Sequence, residues 1–216
     1  MKRRITIVGL GPGGEDELTL GALKALKQEA ASVILRTDRH EVVPFLREQG
    51  IVYSTMDDLY EKHDNFDDLY DAMVKRVIEY VENGDVVLAV PGHPMIGERL
   101  VLELIAKLDS KLYDINIIPG ISRADAVMAL VHKADIQGMN IIMAPEMGNI
   151  YPDPRMVTVI LNVYNSITAS EVKLRLLRHY PAELQIYIIR QKEAGDLEYR
   201  EALLHELDRM EYFDHT

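Results

Sequence analysis

Read from its amino terminus, the chain alternates short apolar runs with longer stretches of helical period. Ile5 to Val8 is a β-branched run, and Gly9 to Gly14 behind it supplies a turn. Leu18 to Ala31 has apolar positions at helical spacing, with Thr19 placed to cap the helix. Strands are expected at Ser32 to Leu35 and Ile51 to Ser54, with a helix at Val42 to Gln49 between them. The acidic stretch from Met56 to Asn83 predicts a long helix with Leu69, Met73, Val77 and Tyr80 on one face. Val86 to Val90 is apolar at every position, the pattern of a strand covered on both sides. Pro91-Gly92-His93-Pro94 ends it, Ile96 to Leu108 reads as helical, and Ile115 to Ile118 reads as a strand stopped by Pro119-Gly120. Such alternation predicts a parallel sheet with crossover helices.

Beyond residue 121 the pattern changes. A helix at Arg123 to Val131 leads to strands at Asn140 to Met143, Thr158 to Val163 and Leu184 to Ile189, with a helix at Ser170 to Arg178 among them. The last stretch, Leu197 to Thr216, reads as helical and then polar. The expected architecture is therefore α/β in two lobes. Residues 1–120 form a parallel-sheet lobe and residues 121–216 a mixed-sheet lobe.

Charge and composition narrow the functions this fold could serve. Lys plus Arg is 24 and Asp plus Glu is 35, a formal net charge of −11, which repels phosphate backbones and argues against nucleic acid as a partner. Without cysteine, disulfides and thiolate metal sites are excluded. The histidines (His40, His63, His93, His132, His179, His205 and His215) show no close ligand spacing, so no metal is expected. Met1-Lys2-Arg3-Arg4 runs straight into a strand rather than a leader, and no apolar run approaches the ~20 residues that span a bilayer. A cytoplasmic protein without membrane contact is expected.

The candidate chemistry sits in three loops behind predicted parallel strands, where ligands of such sheets bind. They are Gly9-Leu10-Gly11-Pro12-Gly13-Gly14, Pro91-Gly92-His93-Pro94 and Pro119-Gly120-Ile121-Ser122. Each sets glycine beside proline, so that the backbone can approach a ligand closely on a fixed turn. The first also fits the dinucleotide fingerprint G-x-G-x-x-G. Glu15, Asp16 and Glu17 at the expected helix entrance, and Pro12 without an amide, oppose a pyrophosphate there. The third loop has the outline of a nucleophile elbow, for which Asp153 or Asp196 with His179 or His205 would complete a triad. Against it stands the simpler role of Ser122 as a cap of the next helix. His93 either binds a ligand or caps its own loop.

In this order the loops resemble those of the tetrapyrrole (corrin/porphyrin) methylases, S-adenosylmethionine-dependent methyltransferases with a two-lobed α/β fold. The matching stretches are VGLGPGG at 8–14, VVLAVPGHPMIGE at 86–98 and IIPGIS at 117–122. PGHPMIGE, with NVYNSITASEVKLRLLRHYP at 162–181 and ELDRM at 206–210, is similar to the methylase-like domain that precedes MazG-type nucleotide pyrophosphohydrolases. The resemblance implies S-adenosylmethionine as cofactor, held in a ligand cleft between the two lobes, S-adenosylhomocysteine as its product, and a small-molecule acceptor that could be a tetrapyrrole. Pro91, Gly92, His93, Pro94, Met95, Ile96 and Gly97 would contact the amino-acid portion and ribose of the cofactor. Ser122, Leu161, Asn162 and Val163 would flank the rest, and Gly11, Pro12, Gly13 and Gly14 would line the acceptor side.

The resemblance also implies a homodimer. Its alternative reading is a non-catalytic ligand-binding or regulatory domain attached to a pyrophosphohydrolase. Two departures from the family pattern stand out. His93 replaces the aspartate of Gly-Asp-Pro, so it can accept one hydrogen bond without supplying a charge, and Arg123 replaces a second serine.

Overall fold

The structure, a computed structural model, describes residues 2–28, 31–63, 65–131, 138–148, 150–191, 197–210 and 213. The chain divides into two units, Met1–Arg123 and Ala124–Thr216.

In the first unit β1 (Arg3–Gly9), β2 (Ser32–Leu35), β3 (Ser54–Thr55), β4 (Val86–Val90) and β5 (Tyr113–Ile118) form one sheet in the order β3-β2-β4-β1-β5. Every pairing in it is parallel. The helices are α1 (Leu20–Leu26), α2 (Val43–Glu48), α3 (Asp57–Tyr60), α4 (Phe66–Asn83) and α5 (Arg99–Lys107). Right-handed crossovers decide their faces. The chain steps one way from β1 to β2 to β3 through α1 and α2, and the other way through α3 and α4 to β4, then through α5 to β5. The two sets of helices therefore cover opposite faces.

Alternation along the strands serves both layers. Val8, Val33, Leu35, Val87 and Ala89 pack with Ala22, Ala25 and Leu26 of α1 and Val43 and Leu46 of α2. Ile5, Ile7, Ile34, Val86, Leu88 and Val90 pack with Leu69, Met73 and Val77 of α4 and Leu100 and Leu104 of α5. This is why β4 has no polar position. Tyr80 joins this layer at its edge, its hydroxyl donating to Ser54 Oγ at 3.1 Å.

Several boundaries differ from the pattern-based expectation. The helix expected from Leu18 begins at Leu20 behind the Thr19 cap, which accepts the Ala22 amide at 3.1 Å. The strand expected at Ile51 to Ser54 is the shorter Ser54–Thr55, and the helix expected from Ile96 starts at Arg99. Glu15–Glu17 forms a separate 3-10 turn, so the three carboxylates do not stand at the entrance of α1.

The second unit follows α6 (Arg123–Val131) with β6 (Met139–Met143), β7 (Val157–Leu161), α7 (Ser166–Leu176), β8 (Gln185–Gln191) and β9 (Leu197–Leu203). Among the described residues the expected mixed sheet is two separate ladders, β6 with β7 parallel and β8 with β9 antiparallel. Its core gathers Ile142, Met147, Ala169, Val172, Leu176, Ile188, Leu204 and Leu207. The helix expected from Leu197 is instead β9 followed by a 3-10 stretch at Leu204–Arg209. Leu, Glu, Arg and Ala favour helix, but pairing with β8 overrides the local preference. Arg190 donates to Glu198 across the ladder at 2.7 Å, and Tyr187 meets Tyr199 edge-on at 5.7 Å.

Candidate functional site

In the first unit, β1 and β4 are neighbours whose connections leave in opposite directions, toward β2 and toward β5. This is the topological switch point of the sheet, where a crevice opens beyond the carboxyl ends of the strands. The parallel pairing brings the ends of β1, β4 and β5 to one edge, with Gly9 opposite Val90 and Val8 opposite Ile118. All three glycine loops therefore begin side by side.

Their roots pack backbone against backbone. A Cβ on Gly9 would lie 2.7 Å from the Gly120 nitrogen and would also collide with the Gly92 carbonyl oxygen. One on Gly120 would meet the same oxygen and lie 2.8 Å from the Gly9 carbonyl carbon. No side chain larger than hydrogen fits at either place. Above them the Gly11 and Gly92 backbones bridge, with the Gly92 amide donating to the Gly11 carbonyl at 2.7 Å. Gly11 holds φ +83°, a left-handed conformation that suits glycine. The Thr19 hydroxyl that caps α1 also donates to the Pro119 carbonyl at 3.4 Å, tying the helix start to the third loop.

Two side chains brace this assembly that pattern reading did not single out. His40, in the loop after β2, accepts the Val42 amide at Nδ1 (3.3 Å), so its neutral ring carries the proton on Nε2 and donates it to the Gly11 carbonyl (3.1 Å). Burial lowers its pKa to about 4; the Gly11 carbonyl opposes that shift, and the charges of Arg123 and Arg36 add to it. Glu98, at the end of the middle loop, is only 5% exposed. Its Oε2 lies 3.3 Å from Arg36 Nε, and Arg36 Nη1 donates to the Tyr60 hydroxyl at 2.8 Å. Burial raises the Glu98 pKa, while Arg36 and the Leu100 amide oppose that rise. The Arg36 amide donates to the Ala89 carbonyl at 2.9 Å, so the ion pair joins the end of β2 to both ends of the middle loop. One signal was available for His40, since it too stands beyond the carboxyl end of a strand. Glu98 lay inside the PGHPMIGE stretch with nothing to show its burial.

The tip of the first loop has a different character. The Glu17 carboxylate folds over Gly13, with Glu41 also close, and burial first, then Glu41 and Asp16, raise the Glu17 pKa. Carboxylate thus stands where a dinucleotide would bring phosphate, although from the 3-10 turn rather than the helix entrance.

The predicted site residues fall into two groups. Gly11, Pro12, Gly13, Gly14, the loop from Pro91 to Gly97, and Ser122 all lie on the first unit beyond the strand ends. Leu161, Asn162 and Val163 lie on the second unit at the end of β7. Among the described residues Asn162 is the non-glycine residue with positive φ, +65°, a left-handed conformation that asparagine adopts more readily than most side chains. His93 accepts the Met95 amide at Nδ1 (3.0 Å), the self-capping geometry. The expectation that it could accept a bond from a ligand is corrected: its neutral ring has only an Nε2–H to offer.

The nucleophile reading of Ser122 finds no support. Its side chain is 2% exposed, immediately ahead of α6. Of the expected triad partners, Asp153 is bound by Arg155 at 2.6 Å, His205 Nδ1 meets the Ala182 carbonyl at 3.0 Å, and His179 lies edge-on to Tyr151. Asp196 lies outside the described residues. Among the described residues no three His, Asp or Glu side chains gather as metal ligands would, and no helix is long and apolar enough to cross a membrane.

Comparison with known proteins decides the family. Residues 4–192 match the family model of Tetrapyrrole (Corrin/Porphyrin) Methylases. The chain belongs to the tetrapyrrole methylase family. This methylase-family chain is 33% identical over 209 residues to the uncharacterized protein YabN of Bacillus subtilis (strain 168), a match over 97% of this chain and 42% of that protein. The chain thus spans less than half the length of that curated relative. Its fold is that of the uroporphyrin-III C-methyltransferase of Thermus thermophilus (22% identity, 96% of this chain and 86% of that one, TM-score 0.69). A structure of the Thermus thermophilus enzyme complexed with S-adenosyl homocysteine aligns at 21% identity, 95% and 86% coverage and TM-score 0.63. The link to MazG-type pyrophosphohydrolases is not carried by these matches.

Proposed function

We infer that the chain is an S-adenosylmethionine-dependent methyltransferase whose methyl donor binds at the carboxyl edge of β1, β4 and β5. The observation that carries the reading is the convergence of three glycine loops at the switch point, their roots packed so closely that a Cβ on Gly9 or Gly120 would collide with the backbone of its neighbours. Family membership and a neighbour complexed with S-adenosyl homocysteine support the choice of ligand. The bound cofactor supplies an activated methyl group, and transfer needs alignment more than a strong base.

In this reading Pro91 to Gly97 hold the amino-acid end and ribose, and Ser122 flanks the ligand. Leu161, Asn162 and Val163 are assigned by resemblance. Gly11 to Gly14 face the acceptor. The Glu17 and Glu41 carboxylates beside Gly13 favour a neutral or cationic acceptor over a polycarboxylate. A homodimer belongs to the same reading, and light scattering in solution tests it.

Titration calorimetry with S-adenosylmethionine and S-adenosylhomocysteine tests the donor site, and absence of binding by both at millimolar concentration overturns it. A second reading, a ligand-binding module without turnover such as a regulatory domain of a MazG-type pyrophosphohydrolase, draws on His93, which lacks the charge of the family aspartate. Transfer of a labelled methyl group to any of a panel of tetrapyrrole, neutral and cationic acceptors rules that reading out.

A further inference from the structure

His40 and His93 are built alike. Each ring accepts, at Nδ1, the backbone amide two residues further on: Val42 for His40 (3.3 Å) and Met95 for His93 (3.0 Å). An amide can only donate, so Nδ1 is the bare nitrogen and the neutral ring holds its proton on Nε2. At His40 the structure supplies the acceptor, the Gly11 carbonyl at 3.1 Å. At His93, half-buried in the middle loop, no acceptor for Nε2–H is found among the described residues. The same device is completed at one strand end and left open at the neighbouring one.

What an N–H donor can take from a ligand is decided by the ligand's lone pairs. A cationic amine has no lone pair with which to meet an N–H donor. A carboxylate has only lone pairs, and the bond it makes is charge-assisted.

We propose that His93 Nε2–H receives the carboxylate of the methyl donor's amino-acid end, so that the site selects adenosyl thioethers by their carboxylate rather than by their amine. The inference rests on the methyl-donor reading above. It makes His93 a specificity-determining binding residue.

Calorimetry with three ligands tests it: S-adenosylhomocysteine, its decarboxylated analogue, and 5′-methylthioadenosine, which lacks both amine and carboxylate. The native protein is expected to bind S-adenosylhomocysteine about ten- to a hundredfold tighter than the decarboxylated analogue, the span of one hydrogen bond to a charged group. His93→Ala removes that preference, bringing S-adenosylhomocysteine and its decarboxylated analogue to equal affinity. His93→Asn, which keeps an N–H donor, restores part of it. His93→Asp weakens S-adenosylhomocysteine below the alanine variant by placing carboxylate against carboxylate.

Equal binding of both amino-acid ligands by the native protein overturns the proposal without any variant, so a misfolded mutant cannot shelter it. Tighter S-adenosylhomocysteine binding by His93→Asp identifies the amine as the partner, and a parallel loss of 5′-methylthioadenosine in His93→Ala identifies the ribose. Either result overturns the proposal while leaving the methyl-donor reading intact. Failure of all three ligands to bind overturns that reading, and this inference with it.

Discussion

Gly9 and Gly120, at the roots of the first and third loops, differ sharply from Gly14 at a tip. At the roots, Gly9, Gly92 and Gly120 touch through their backbones, and the buried Glu98 paired with half-buried Arg36, together with the half-buried His40, brace them. At the tip of the first loop Gly13 is covered by the Glu17 carboxylate, whereas a Cβ on Gly14 would meet nothing within 4 Å. The same residue type thus serves close packing in one place and open space in another. A binding edge of this kind needs a frame that holds its loops in place.

The largest effect is expected from breaking the brace. Glu98→Ala leaves Arg36 among buried neighbours without its carboxylate, and loss of one partner of a buried pair costs about 3–5 kcal/mol. Chemical denaturation should register this as a lowered midpoint with an unchanged slope.

Next comes acid. The unfolded chain protonates His40 near its ordinary 6.5, whereas the folded chain protonates it only near 4. Between those values the unfolded state holds the extra proton, so stability declines as pH falls through the window and levels off below about 4. The contribution is about 3 kcal/mol. Denaturation of the native protein and of His40→Gln at pH 7 and pH 4 should show the variant losing correspondingly less.

Gly120→Ala is expected to cost about 1–3 kcal/mol as overpacking, since the new methyl meets backbone on both neighbouring loops. Its mark is a loss of S-adenosylhomocysteine affinity out of proportion to the loss of stability. At the small end, Gly14→Ala should change stability by no more than about 0.5 kcal/mol, read as an unmoved melting temperature. A destabilisation there as large as at Gly120 would erase the distinction between root and tip.

The parallel sheet was legible because its strands are short, apolar and separated by helices of clear period. Val86–Val90 could hardly be anything but a strand buried on both faces. The loops were legible as candidates by the rule that ligands gather at strand carboxyl ends. What holds them together was not, because His40, Arg36 and Glu98 are distant in sequence and meet only through strand order. His93 was named, but the sense of its hydrogen bond depended on the Met95 amide, a detail of local backbone. In the second unit Leu197–Leu203 misled because its composition favours a helix, and only β8 as a neighbour makes it a strand. The carboxylates of Glu15–Glu17 were given the right charge and the wrong element, since a helix start two residues later turns a dipole cap into a flap over Gly13.

The Gly11 carbonyl takes two donors, the Gly92 amide and the His40 ring, and so belongs to three loops at once. A proton on His40 Nε2 therefore senses any displacement of the middle loop against the first. In nuclear magnetic resonance that imidazole is a native gauge, readable without a label, of whether an arriving ligand has drawn the loops closer or pushed them apart.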